Sequence, residues 1–253
     1  MEPVESAREP GAGGSGWEQL APGVARRRLP RLDVTVGLVV GADGVLLVDT
    51  GSTLAAGEEL RRQVAALTGR GVTHVVLTHG HFDHVFGTPA FPAAEVYGEA
   101  SLDGYLRRER DALRADAVEH GTDPAAAEAA ARALVLPDRP VRGGLGLDLG
   151  DRPVRLVHPG AGHTGHDLAV VVPGATASDP TVVFCGDLVE ESGEPQAGQD
   201  AVPGAWAATV DALLALGGET GRYVPGHGAV VDARFLRAQR DALAERFAGP
   251  ARA

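Results

Sequence analysis

Between residues 78 and 84 the chain reads Thr78-His79-Gly80-His81-Phe82-Asp83-His84, and no other stretch restricts the fold so strongly. Four metal-type side chains fall within six residues. They come directly after Val72-Thr73-His74-Val75-Val76-Leu77, an apolar, β-branched run of strand length. His79 and His81 can converge on one ion, and Asp83 and His84 on a second nearby. The plain alternative is a polar loop whose histidines only hydrogen-bond. Imidazole and carboxylate are such common donors to zinc that this density is read here as a metal site.

A site of this kind needs further ligands, and the sequence supplies them in matching settings. His163 lies in Gly162-His163-Thr164-Gly165-His166-Asp167, just before the apolar run Leu168 to Val172. Asp187 follows Val182-Val183-Phe184-Cys185, and His227 sits in Val224-Pro225-Gly226-His227-Gly228. Each is a ligand-type residue in a Gly-containing loop at a strand edge, where a rigid sheet can position it. Upstream, Val48-Asp49-Thr50-Gly51 repeats the strand-then-acid pattern.

With these motifs in this order, from about Val36 to Gly228, the chain resembles the metallo-β-lactamase superfamily of hydrolases. The family's His-x-His-x-Asp-His motif falls on His79, His81, Asp83 and His84. Its remaining ligands fall on His163, Asp187 and His227. The resemblance implies an α/β four-layer αββα sandwich. It also implies two divalent metal ions, zinc first and iron or manganese next. His79, His81 and His163 would hold one ion, and Asp83, His84 and His227 the other. Asp187 would bridge them, and Asp49 would orient the ligand loop.

Composition bounds the rest. A chain of 253 residues fits one large domain with a sizeable core. The net charge of −11 argues against a nucleic-acid partner. All 23 basic residues are Arg, which removes a P-loop lysine and Schiff-base chemistry. The lone Cys185 permits no internal disulfide and is read as a buried core residue. Residues 1–16 are acidic and rich in Gly and Pro, read as a disordered tail without a signal-peptide core. No run reaches membrane-spanning length. The expectation is a cytoplasmic protein acting on a small molecule, with no membrane partner.

Along the chain, one domain is expected over 17–249. Arg26-Arg27-Arg28 reads as a solvated strand edge. Val34 to Val40 and Val45 to Asp49 read as a hairpin around Gly41-Ala42-Asp43-Gly44. Leu60, Val64 and Leu67 mark a helix ending near Gly69. Residues 99–136 form a helical insert, with Leu102, Leu106 and Leu113 on one helix and an Ala-rich second helix from Pro124 to Leu134. The insert is either a brace or a lid over the cleft, with Tyr105, Arg107 and Arg108 at its mouth. Further strands are expected at 145–149, 154–157, 168–172, 181–184 and 222–224. Helices are expected at 206–216 and 235–247, and the loop 190–203 should rim the site. Of the other histidines, His74 and His120 read as structural and solvated. His158 is a candidate support for a ligand, and His166 a candidate substrate contact or plain hydrogen-bonding residue.

The resemblance implies a hydroxide bridging two metals that cleaves an ester, thioester, lactone or amide-type bond of a small substrate, an anionic one where Arg107 or Arg108 meets it, with Asp83 orienting the hydroxide and moving its proton. Two oxidoreductase or lactam readings stand beside it. One is a mononuclear iron enzyme like the persulfide dioxygenases. The other is a β-lactamase-type lactam hydrolase, although known zinc β-lactamases generally carry Cys or Ser where Asp187 stands. A non-catalytic binding protein on the same scaffold is a third.

Overall fold

The computed structural model describes residues 16–176 and 178–248. The expected tail lies outside them through residue 15, as does residue 249 at the expected domain end. Among the described residues there are two sheets. The first runs β1 (Trp17–Ala21), β2 (Val24–Arg28), β3 (Thr35–Val40), β4 (Val45–Val48), β5 (His74–Val76), β6 (Glu95–Glu99) and β7 (Arg139–Val141), side by side in chain order. Pairing is antiparallel up to β4 and parallel from there on. The second contains β8 (Gly144–Asp148), β9 (Pro153–Val157), β10 (Ala169–Val172), β11 (Val182–Glu190) and β12 (Arg222–His227), in the order β12-β11-β10-β9-β8.

Strand periodicity builds the layers. On β3, Val36 and Leu38 face one way, into a core shared with α1 (Leu54–Thr68), α3 (Leu102–Glu119) and α4 (Pro124–Ala133). Val39 faces the other way and meets Leu156, Val170 and Phe184 of the second sheet. Gly37 shares that inner face because a Cβ there would come within 2.5 Å of the Phe184 ring. On β11 the alternation repeats: Val182 and Phe184 face the first sheet, while Val183 and Cys185 face α5 (Pro203–Gly217) and α6 (Ala233–Arg246). The result is the expected αββα sandwich. Each buried Val or Leu contributes on the order of 1.5–3 kcal/mol.

The helices are delimited by local chemistry. Thr53 caps α1 by accepting from Ala56 N–H, and Gly69 ends it in the left-handed conformation. Asp123 caps α4 ahead of Pro124, and Asp232 caps α6. In the insert, Leu102, Leu106 and Leu113 are buried as the spacing predicts.

Three elements differ from expectation. Arg26 is buried rather than solvated: it donates to the Gly228 carbonyl at 2.8 Å and to Glu18 at 2.7 Å, bracing the turn after β12. β7 pairs with β6 at the sheet edge although Arg139-Pro140-Val141 carries little strand signal. β11 continues past the register shift at Gly186 and pairs Glu190 with His227, so Asp187 sits on a strand rather than in a loop.

Candidate metal centre

The centre forms where strand ends from both sheets meet. β5 runs into His79 and His81, and the short helix α2 (Phe82–Val85) presents Asp83 and His84 from one turn. The loop before β10 brings His163, β11 brings Asp187, and the end of β12 brings His227. A bond from Leu168 N–H to the Thr78 carbonyl, 2.7 Å, ties the His163 loop to the His79 loop. The backbones approach so closely that a Cβ at Gly226 would lie 1.8 Å from Asp187 Oδ1, so only glycine fits there.

Two groups of ligand atoms result, each within 4.8 Å: His79, His81, His163 and Asp187, then Asp83, His84 and His227. Asp187 lies between them. Its Oδ1 is 3.2 Å from His84 Nε2, and its Oδ2 is 3.2 Å from His227 Nε2 and 3.5 Å from His163 Nε2. Asp83 Oδ2 is 3.4 Å from His227 Nε2 and 3.6 Å from His84 Nε2. The seven candidate residues read from the sequence are thus brought together, with Asp187 grouped beside His79, His81 and His163.

The outer nitrogens of the five imidazoles decide what the inner ones can do. His84 Nδ1 donates to Asp49 Oδ2 at 2.9 Å, and His79 Nδ1 to Thr78 Oγ1 at 3.0 Å. Thr78 in turn donates its hydroxyl to Asp49 Oδ2 and its N–H to Asp49 Oδ1, both at 2.8 Å. His163 Nδ1 donates to the Gln196 carbonyl at 3.0 Å, and His227 Nδ1 to the Leu32 carbonyl at 2.7 Å. His81 is turned the other way, with Nε2 donating to Asp200 Oδ2 at 3.1 Å. Every outer nitrogen thus meets an oxygen, which leaves five inner nitrogens as lone-pair donors facing one centre.

That arrangement fits a cation. His79 Nε2, His84 Nε2 and Asp187 Oδ1 are buried without a hydrogen-bond partner among the described residues, a costly state for polar atoms. His163 Nε2 and His81 Nδ1 stand 2.9 Å apart, so a proton or a cation must sit between them. Burial pushes His163 down to about 4 and His79 well below its ordinary range. Burial opposes charge on His84 and His227 too, but the surrounding carboxylates, Asp187 first and then Asp83, outweigh it, raising His84 strongly and His227 to about 10. Burial likewise acts against the Asp187 anion, and the imidazoles of His227, His84 and His79 more than reverse it. Protons held this way are the ones a divalent ion displaces on binding.

The other expected residues fall as follows. Asp49 is buried, with φ 60°, directly behind the ligands it was expected to orient. His166 is buried, and its Nε2 accepts the Gly80 N–H at 3.1 Å, holding ligand backbone. His158 donates to the Asp167 carbonyl at 2.7 Å. His74 bonds Thr73 and stacks on Tyr97, and His120 pairs with Asp116 at an exposed helix end. Arg107 is exposed and paired with Asp103, and Arg108 is exposed and paired with Glu109. From the insert, Tyr105 and Leu102 reach the loop at Gly80, the Tyr105 ring lying 4.4 Å from that of His166. Trp206 backs His163, its ring 5.7 Å away and its Nε1 donating to the Leu188 carbonyl. Asp200 was not singled out in the sequence; it lies within the loop expected to rim the site, but no spacing separates it from Glu191 or Glu194.

Fold and centre together define a layered α/β protein with a His/Asp cluster built for divalent metal. The family model of the metallo-beta-lactamase superfamily matches residues 29–227, and the chain belongs to that superfamily. Metallo-beta-lactamase domain-containing protein 1 of Xenopus laevis is 33% identical over 165 residues, 64% of this chain and 57% of that protein. This chain therefore spans little more than half of that relative's length. Metallo-beta-lactamase type 2 of Bacillus cereus is 26% identical over 211 residues, 82% of this chain and 72% of that protein. Among solved structures, a metallo-beta-lactamase from Pontibacter korlensis superposes with a TM-score of 0.68 at 19% identity, covering 90% of this chain and 97% of that one. One from Hirschia baltica gives 0.63 at 16% identity, covering 90% and 96%. At such identities the structures speak for the fold alone. No helix among the described residues is long and apolar enough to cross a membrane.

Proposed function

We propose that the chain is a metallohydrolase holding two divalent cations, zinc by preference, that cleaves an ester, thioester, lactone or amide-type bond of a small molecule. The observation that carries this reading is the set of five inner imidazole nitrogens with their outer nitrogens all engaged, around a carboxylate with an unpartnered oxygen. His79, His81 and His163 would hold one ion, Asp83, His84 and His227 the other, and Asp187 both. When bound, such ions supply Lewis acidity and lower the pKa of water from about 15.7 to about 7.

The chain's residues do the remaining work. Asp187 faces both groups, its Oδ2 lying 3.5 Å from His163 Nε2 and 3.2 Å from His227 Nε2, and its charge would reduce the repulsion between two cations. Asp49 fixes His84 directly and His79 through Thr78, so no reorganisation is needed when substrate arrives. Asp83, 3.6 Å from His84 Nε2 and 3.4 Å from His227 Nε2 and less buried than His84, would accept a proton from the attacking water and pass it to the leaving group. His81, His227 and Asp83 keep some exposure, and the substrate enters from their side.

Elemental analysis of protein purified without chelator should give close to two equivalents of divalent metal. A panel of thioesters, lactones and β-lactams should then reveal turnover that chelation abolishes. The β-lactam arm follows from the name of the Bacillus cereus relative. A firm single equivalent of iron, with oxygen uptake on a persulfide, would replace this reading by the oxygenase one.

A further inference from the structure

Helix α3 docks through Leu102, Leu106 and Leu113, which are buried against the first sheet. Tyr105 lies between these positions and is only partly covered, packing against the edge of the same core. Its ring lies on the backbone between two candidate ligands: a Cβ at Gly80 would be 2.6 Å from Tyr105 Cδ1. The same ring is 4.4 Å from His166, which accepts the Gly80 N–H. The Tyr105 hydroxyl lies near the Asp200 carboxylate, the acceptor of His81 Nε2. The Arg108 guanidinium, 5.8 Å from the ring centroid, covers its outer side. Thus the backbone before His81, the imidazole clamping that backbone and the acid behind His81 all meet at one side chain.

From this convergence we propose that Tyr105 is a positioning residue for His81, through which the helical insert sets how tightly the His79, His81 and His163 group holds its metal. The inference rests on the dinuclear reading above and adds a residue to it. The ring fixes where the Gly80 peptide lies, and the hydroxyl closes the side of the Asp200 carboxylate. Together they keep His81 Nδ1 aimed inward. Without the hydroxyl, Asp200 is less confined and His81 can swing toward solvent, since both are partly exposed.

The test is metal affinity of the full chain, by chelator competition with Zn²⁺ and by the visible spectrum of the Co²⁺-loaded protein. Tyr105→Phe keeps the ring and removes the hydroxyl; Tyr105→Leu removes both. Loss of a residue supporting a ligand typically costs 10–100-fold in metal affinity. Tyr105→Phe should therefore weaken one of two ions by about 10-fold and alter the Co²⁺ bands, while the metal-free protein melts as before. Tyr105→Leu should weaken the same ion further. Should Tyr105→Phe bind both ions with wild-type affinity and spectrum, the proposal is overturned. An equal loss of melting temperature in metal-free and loaded Tyr105→Leu, with affinity unchanged, would also overturn it, because the ring would then be filler. Wild-type protein that holds no divalent metal would instead remove the dinuclear reading, and this inference with it.

Discussion

Asp49 and Asp200 both accept from the outer nitrogen of a candidate ligand, yet they are built from different parts of the molecule. Asp49 follows β4 at the centre of the first sheet and is buried, with its N–H bonded to the Val76 carbonyl at 2.9 Å. Its φ of 60° is unfavourable for a residue with a side chain, on the order of 1–3 kcal/mol. Three hydrogen bonds to its carboxylate, from Thr78 N–H, Thr78 Oγ1 and His84 Nδ1, offset that cost at about 1.5–3 kcal/mol each. Asp200 sits in the loop between β11 and α5, partly exposed, and reaches a ligand that is itself partly exposed. The first support is complete once β4 and β5 pair. The second exists only after a loop and an inserted helix have closed on the sheet. The core therefore supports His84 and, through Thr78, His79, whereas His81 depends on the additions.

The comparison can be broken from its shared member outward. Asp187→Asn keeps the shape and removes the charge between the groups. Hydrolysis should fall by at least about 10²-fold, with weaker retention of one ion by elemental analysis. Unchanged turnover and metal content would show that Asp187 is no bridge; Cys185→Ser, whose side chain packs against α5 and α6, serves as the control and should change little. Next in size is Asp49→Ala. It strands His84 Nδ1 and Thr78 N–H, so we expect about 3 kcal/mol of lost stability and weaker binding at both groups. Denaturant titration and metal competition measure the two effects. A loss confined to one group would mean that the relay through Thr78 to His79 carries nothing.

Asp200→Ala should act on a smaller scale: about 10-fold weaker binding at the His81 group alone, with stability nearly wild-type. If it destabilised the fold as much as Asp49→Ala, the contrast between core and addition would fail. The smallest effect is expected from replacing Arg107 and Arg108 together by Ala. Their charges are taken by Asp103 and Glu109, so a role in meeting an anionic substrate should appear only as a higher KM, with kcat and metal content unchanged. An identical kcat/KM across the substrate panel would assign both arginines to the surface of α3.

How far the centre could be read from sequence follows the same division. The seven candidate ligands and Asp49 sit at the ends of apolar runs, after the run in every case but His163, which comes just before one. Asp200 sits in a loop with several acids, where contact with His81 depends on a fold the local sequence does not encode. The Leu32 and Gln196 carbonyls that hold His227 and His163 are backbone groups, which no residue type announces. Arg26 reads as solvated because three consecutive arginines carry no sign that one will meet the Gly228 carbonyl. β11 reads as ending at Phe184 because Gly186 and Asp187 look like a loop, whereas pairing with β12 carries the strand on to Glu190.

Trp206 gives the His163 group an optical consequence. The chain has two tryptophans, and the other, Trp17, is bonded to Gln63 on α1. Indole emission responds to a nearby imidazole and to its charge, and at 5.7 Å the buried Trp206 ring is close enough to sense His163. Intrinsic fluorescence of a Trp17→Phe protein therefore reads out the state of one half of the centre without a label, a substrate or knowledge of the reaction.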